Sequence, residues 1–401
     1  MTHVIAIGAG QAGSSLTAKL RSLGFEGKIT LIGEEPVPPY QRPPLSKAYL
    51  LGQMEEARLY LRPEAFYDEQ QITLRLGKPV DAIDRAARTV TVGTDVLSYD
   101  HLVFTTGSAP RHLPAAIGGT LPGVHVVRSL ADVDGMAASF QPGKRALIVG
   151  GGYIGLEAAA VARKLGVDAI VVEMADRILQ RVAAPETSDY FRDLHSAHGV
   201  EIREGLGLET LLGEDHVTGV RFTDGSEIDV DFVIVGVGIL PNDQLAGNAG
   251  VALENGIKTD AQGRTSDPHI WAAGDCASFP HLGQQLRIES VGNAIDQAEL
   301  VAANIMGAGQ DYLPKPWFWS DQYDVKLQIA GLNLGYDRVV VRRTGDACSH
   351  WYYAGEALLA VDAMNDPRNY MIGKRLIEGG KHPAPDLIAD PETDMKALLK
   401  A

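Results

Sequence analysis

Apolar and polar positions run in two alternating rhythms over the first 35 residues. Val4-Ile5-Ala6-Ile7 is a solid apolar block of strand length, and Gly8 to Gly13 is turn-forming. Ala12 to Leu23 then carries apolar residues at helical spacing, and Lys28 to Gly33 is a second strand block. The same β-α-β rhythm returns with the strand Ala146 to Val149, the turn Gly150 to Gly155, a helix to Lys164 and the strand Ala169 to Glu173. The two units start about 140 residues apart, an internal repeat of supersecondary structure. Between them lie a Pro-rich stretch from Pro36 to Pro44, a helix near Ser46 to Leu51, the strand pattern Thr89 to Val92 and the apolar run His101 to Thr106. Farther on, Val217 to Phe222 and Glu227 to Val235 read as the arms of a hairpin joined through Asp224-Gly225. From Trp317 the chain becomes aromatic and strand-rich, with turns at Gly335-Tyr336 and at Ala354-Gly355-Glu356. The fold class is therefore α/β: two Rossmann-like β-α-β units plus a separate C-terminal α+β domain.

At 401 residues the chain exceeds what one ordinary core holds, in keeping with several domains. No apolar run reaches the roughly 18 residues of a membrane span. The N-terminus lacks a basic region before its short apolar run, so it reads as a buried first strand with no signal peptide, and the expected compartment is the cytoplasm. A net charge of −15 disfavours nucleic acid or an anionic membrane as partner. The two cysteines, Cys276 and Cys348, leave no disulfide framework, no close redox dithiol and little scope for a cysteine-based metal site. Cys276 reads as buried filler at a strand end, and Cys348 falls in a C-terminal loop.

Candidate chemistry concentrates in the two glycine-rich turns. In Gly8-Ala9-Gly10-Gln11-Ala12-Gly13, the first glycine allows the tight turn, Gly10 lets a pyrophosphate approach the backbone, and Gly13 lets helix and strand pack closely. The following helix offers unpaired N–H groups and partial positive charge to phosphates. Glu34 lies 21 residues beyond Gly13, where a carboxylate meets ribose hydroxyls. The second turn, Gly150-Gly151-Gly152-Tyr153-Ile154-Gly155, is followed 18 residues later by Glu173. One such fingerprint is weak evidence, but two in register with strand, helix and terminal acid are strong. Glu173 accepts from a free ribose 2′-OH and repels a 2′-phosphate, which favours NADH over NADPH. Arg177, one turn on, reads as a solvated helix residue.

With these motifs assembled, the sequence resembles the flavoprotein ferredoxin reductases of bacterial oxygenase systems. The type is that of putidaredoxin reductase, within the glutathione-reductase-like superfamily. Beyond the two fingerprints, the resemblance rests on Pro43-Pro44-Leu45-Ser46-Lys47, Thr105-Thr106-Gly107, Gly236 to Asn242, Thr265 to Pro268, Ala273-Gly274-Asp275 and Trp317 to Gln322. It implies an FAD-binding domain in two parts, 1–112 and 241–314, around an NADH-binding domain, 113–240, and a C-terminal domain, 315–401. It further implies that Gly8, Gly10, Ala12, Gly13, Glu34, Lys47, Val80, Thr106, Gly107, Arg128, Asp275, Val291 and Trp319 meet FAD. Gly150, Gly152, Tyr153, Ile154, Gly155, Glu173 and Gly238 would meet NADH. Lys47 would lie beside the flavin's reactive edge, paired with Glu157 beside the nicotinamide. Val80 and Val291 equally suit a core, Trp317-Phe318-Trp319 equally suits an aromatic interdomain contact, and Glu157 equally suits a dipole-favoured first helical turn.

The resemblance then implies hydride transfer from NADH to FAD and discharge to a two-iron ferredoxin. That ferredoxin would serve a haem-thiolate monooxygenase or a ring-hydroxylating dioxygenase. Related disulfide reductases and peroxidases discharge through cysteine, whereas Tyr40 to Leu51 contains none. Two other readings stand: an NADH oxidase or peroxidase, and an NADH-responsive flavoprotein without a redox partner. Since such ferredoxins are commonly acidic, docking calls for a local basic patch, with Arg342-Arg343 and Lys374-Arg375 as candidates. A monomer or weak homodimer is expected.

Overall fold

The computed structural model describes residues 1–400; Ala401, at the end of the expected C-terminal domain, lies outside them. The chain divides into two compact units. One comprises Met1–Gln41, Glu56–Ala109 and Ile239–Pro316; the other comprises Arg42–Glu55, Pro110–Gly238 and Trp317 onward.

In the first unit, five parallel strands lie in the order Ile270–Ala272, His101–Phe104, His3–Ile7, Lys28–Ile32 and Ile72–Arg75. The strand blocks are continuous in apolar residues because both faces of the sheet are covered. Val4, Ala6, Leu31 and Val103 pack with Leu16 and Leu20 of helix Gln11–Ser22 and with Ala298 and Val301 of helix Val291–Ile305. Ile5, Ile7, Leu102 and Phe104 fill the other face. After two strands on one side of His3–Ile7 the order reverses to the other side. Ligands of such sheets bind at that switch point, outside the carboxyl ends of the strands.

The second unit repeats the plan with Glu201–Glu204, Asp168–Glu173, Arg145–Val149, Phe232–Val235 and Val124–His125, all parallel. The hairpin expected to end at Val235 stops earlier: its second arm is only Glu227–Asp229, paired with Gly219–Phe222, and Phe232–Val235 enters the parallel sheet beside Arg145–Val149. Asp231 makes the switch. Its carboxylate accepts from Lys144 Nζ at 2.8 Å and the Arg145 amide at 2.7 Å, which delivers the next four buried residues to that sheet.

The same unit carries a five-stranded antiparallel sheet, ordered Trp317–Gln322, Val325–Gly331, Ala357–Met364, Ala347–Ala354 and Arg338–Thr344. Helix Pro367–Glu378 lies so near it that a Cβ on Gly373 would sit 2.7 Å from Val361. Cys348 belongs to strand Ala347–Ala354 and is buried, not in a loop; a turn lies just before it, at Gly345. No described helix is long and apolar enough to cross a membrane.

Candidate functional site: two phosphate cradles and a buried ion pair

The two glycine-rich turns have the same geometry. Gly8 has φ +114°, and a Cβ there would lie 2.2 Å from the Thr105 carbonyl oxygen, at the end of the strand across the switch point. Gly150 has φ +106°, and its Cβ would lie 2.5 Å from the Gly236 carbonyl oxygen in the equivalent place. A Cβ on Gly13 would reach 2.2 Å from the Gly8 oxygen, and one on Gly155 would reach 2.1 Å from the Gly150 oxygen. The middle glycines differ: Gly10 and Gly152 face open space, with nothing within 4 Å. Both cap their helices without a side-chain hydrogen bond, and neither helix carries an acid in its first turn. The amides at each N-terminus are thus left to an anion, so each cradle fits a dinucleotide pyrophosphate. Ala12 is buried behind the first cradle. At the second, Tyr153 packs its ring on Phe318 at 5.0 Å and Ile154 is exposed.

The acids stand at the strand ends as the spacing predicts. Glu34 is exposed beyond strand Lys28–Ile32. Glu173 ends its own strand, and its carboxylate accepts from the Gly151 amide and the Ala175 amide, each at 2.8 Å. These two bonds hold it against the second cradle. Arg177 is not a solvated helix residue. It is half-buried in an irregular stretch and donates to Ser188 Oγ at 2.5 Å and the Ala183 carbonyl at 2.9 Å. Arg111 and Arg181, which no sequence motif marks, approach Gly238: a Cβ there would sit 3.9 Å from each side chain.

Lys47 and Glu157 come together although 110 residues separate them. Leu45–Tyr49 is a wide, π-type turn, a form enriched at functional sites, and Lys47 departs from helical geometry within it. Lys47 Nζ meets Glu157 Oε2 at 2.7 Å and donates to the Pro43 carbonyl at 3.3 Å. Helix Tyr153–Lys164 places Glu157 in its second turn, 4% exposed, so it is no first-turn surface acid. Ser46 Oγ donates to Oε2 at 2.8 Å and Ser320 Oγ to Oε1 at 2.7 Å. Ser320 was legible only as part of its motif. The arrangement is a half-buried cation held by a buried carboxylate whose two oxygens are both satisfied.

The remaining positions fall as follows. Thr106 Oγ1 donates to the Asn242 carbonyl at 2.6 Å, and the Asn242 amide groups bond back to Thr106 and Gly107, which joins two of the sequence motifs. Asp275 Oδ2 accepts from buried Ser108 at 2.8 Å. Val80 is half-buried against the apolar cluster around Phe104. Val291 opens a helix capped by Ser290, and the Arg128 carbonyl accepts from Arg42 at 2.7 Å. Trp319 stacks on Trp317, ring centres 5.4 Å apart, and Lys374 sits 5.5 Å over the Trp317 ring. Arg342 is not a docking residue: it is buried and spends its guanidinium on the carbonyls of Ile388, Asp390, Pro391 and Thr393. Cys276 is fully buried, and burial pushes its thiol pKa up, away from the reactive thiolate.

Residues 2–298 match the family of pyridine nucleotide-disulphide oxidoreductases, and residues 317–399 match the reductase C-terminal family. The chain belongs to the pyridine nucleotide-disulphide oxidoreductases. Within that family it is 42% identical to rhodocoxin reductase of Rhodococcus erythropolis, over 99% of this chain and 94% of that one. It is 39% identical to putidaredoxin reductase of Pseudomonas putida, over 100% of this chain and 97% of the other. Among solved structures it matches the covalent putidaredoxin reductase–putidaredoxin complex with a TM-score of 0.96 at 38% identity, covering 100% of this chain and 98% of that one. A ferredoxin reductase from Rhodopseudomonas palustris gives 0.95 at 40% identity, covering 99% of each.

Proposed function

We propose that this protein is an NADH-dependent ferredoxin reductase with FAD as its resident cofactor. The observation that carries this is the duplicated cradle, two open glycines on uncapped helices, in a chain that follows named ferredoxin reductases from end to end. Residues 1–112 and 241–314 form the FAD-binding domain, 113–240 the NADH-binding domain, and 315–401 the C-terminal domain. FAD, when bound, would supply the redox chemistry that links hydride from NADH to single electrons for a two-iron ferredoxin that serves an oxygenase.

Gly10 and Gly152 leave room for the two pyrophosphates, and Glu34 and Glu173 accept from the ribose hydroxyls. Glu173 thereby selects NADH over NADPH. Lys47 would supply a positive Nζ charge to stabilise the reduced flavin, and Glu157 fixes that charge in position. Thr106, Gly107, Arg128, Asp275, Val80, Val291 and Trp319 complete the flavin contacts, and Tyr153, Ile154 and Gly238 those of NADH. With no cysteine between Tyr40 and Leu51 and a buried, raised-pKa thiol at Cys276, electrons leave without a protein disulfide. The cytoplasm, where NADH is supplied, is the compartment we assign.

Double-mixing stopped flow tests this reading: NADH bleaches the flavin anaerobically, then ferredoxin, oxygen or peroxide is added. Fast reoxidation by ferredoxin and slow reoxidation by oxygen is expected. Recovery with oxygen or peroxide alone would make the protein an oxidase or peroxidase.

A further inference from the structure

Glu157 is the end point of a hydrogen-bonded chain that hydride transfer itself leaves unused. Ser320 and Gln322 lie two apart on strand Trp317–Gln322, so both point to one side of it, and both are fully buried. Ser320 Oγ is 2.7 Å from Glu157 Oε1, and Gln322 Nε2 is 3.1 Å from Ser320 Oγ. Gln322 Oε1 is 2.7 Å from Nε2 of His195, a fully buried residue of helix Pro185–Ala197. His195 Nδ1 is 3.4 Å from the hydroxyl of Tyr323, whose ring stacks on the exposed His198 ring at 3.6 Å.

The direction of these bonds follows from counting hydrogens. An ionised carboxylate only accepts, so Ser320 must give its single hydrogen to Glu157. Its oxygen then accepts from the Gln322 amide nitrogen, which leaves Gln322 Oε1 facing His195 as an acceptor. His195 must therefore carry its proton on Nε2. Burial keeps this imidazole neutral, its pKa pushed down to about 4, so Nδ1 is bare and accepts from Tyr323. The opposite tautomer would reverse every link. Gln322 would present its nitrogen to His195 and its oxygen to Ser320, the serine would turn away, and Glu157 Oε1 would be left buried without a donor. A buried acceptor stripped of its donor disfavours that arrangement by about tenfold or more in population.

We propose that Tyr323, His195, Gln322 and Ser320 form a one-way donor chain, its polarity set by the Nε2–H tautomer of His195, that pins the Glu157 carboxylate against Lys47. These four are positioning residues, acting on the reacting groups through Glu157. The proposal rests on the role of the Lys47–Glu157 pair at the redox centre proposed above.

Two measurements on the FAD-loaded protein test it. The first is nitrogen NMR of histidine-labelled protein, with the His195 signal assigned by its loss in His195→Gln. A neutral Nε2–H ring is expected in the unmodified protein and a tautomer mixture in Ser320→Ala, which frees the Gln322 amide to turn. The second is the rate of flavin bleaching by NADH. Ser320→Ala and Gln322→Leu should each slow it about tenfold at saturating NADH, with half-saturation unchanged, and the double variant should be no slower than Ser320→Ala alone. An Nδ1–H or doubly protonated His195 overturns the proposal. So does an unchanged bleaching rate in folded, flavin-replete Gln322→Leu. Should that variant not fold, the His195 tautomer and the Ser320→Ala rate decide. If the unmodified protein is not bleached by NADH at all, the functional reading fails instead.

Discussion

Two alanine substitutions three residues apart in the second cradle should fail in opposite ways. At Gly155 the new Cβ would lie 2.1 Å from the Gly150 carbonyl oxygen, where ordinary contact begins at 3.4 Å. The helix must withdraw by more than an ångström from the strand end it packs on. Overpacking of this kind costs about 1–3 kcal/mol, and the better helix propensity of alanine returns up to about 1 kcal/mol. A net loss near 2 kcal/mol lowers Tm by roughly 4–8 °C in a body of this size. At Gly152 the backbone is extended, φ −79° and ψ 177°, and no atom lies within 4 Å of the new Cβ. Stability should hold to within about 0.5 kcal/mol. The methyl group instead occupies the space through which pyrophosphate approaches the amides. Loss of one charge-assisted hydrogen bond costs about 1.5–3 kcal/mol, or some 10–150-fold in NADH affinity. Thermal unfolding and NADH titration of both variants separate the effects. If Gly152→Ala binds NADH normally while Gly155→Ala stays as stable as the parent, the division of labour between the two glycines is wrong.

Glu173→Gln keeps one acceptor for the turn amides and removes the charge; kcat/KM for NADH should fall about tenfold while that for NADPH rises, read from steady-state rates with both nucleotides. Acidification should weaken the fold. Burial pushes both His195 and His350 down to about 4, so between pH 6.5 and 4 the folded state holds fewer protons than the unfolded chain, and stability falls as pH falls. Buried Asp362, pushed up to about 6, works the other way by gaining its proton on folding. The net loss from pH 7 to 5 is about 2 kcal/mol, measurable by urea unfolding, and equal or greater stability at pH 5 would contradict it. Cys276→Ala and Cys348→Ala should each retain NADH-driven ferredoxin reduction within about twofold, since neither thiol carries electrons; loss of turnover in a folded, flavin-replete variant would restore a cysteine route.

The parts legible in the sequence were those written in local patterns. Solid apolar blocks, glycine spacing and strand-end acids marked both β-α-β units to within a residue or two, because parallel strands and their crossovers are specified by neighbours in sequence. What escaped depended on partners far along the chain. The run Glu227 to Val235 looks like one strand until Asp231 is tied to Lys144 and Arg145. Arg342 looks like surface charge until four carbonyls from the C-terminal segment surround it. Lys47 and Glu157 were paired only through family resemblance, and nothing local marked Ser320, Gln322 and His195 as one chain. Cys348 was misplaced because polar Thr344 to Asp346 hides the strand that follows.

The proposed function centres on two cradles, one for FAD and one for NADH. The most direct test is an anaerobic titration of the purified protein with NADH, followed by visible absorbance. A yellow protein carrying FAD is expected, bleached stoichiometrically by NADH and far more slowly by NADPH. A colourless protein that takes up no added FAD, or a bound flavin that NADH leaves oxidised, would contradict it.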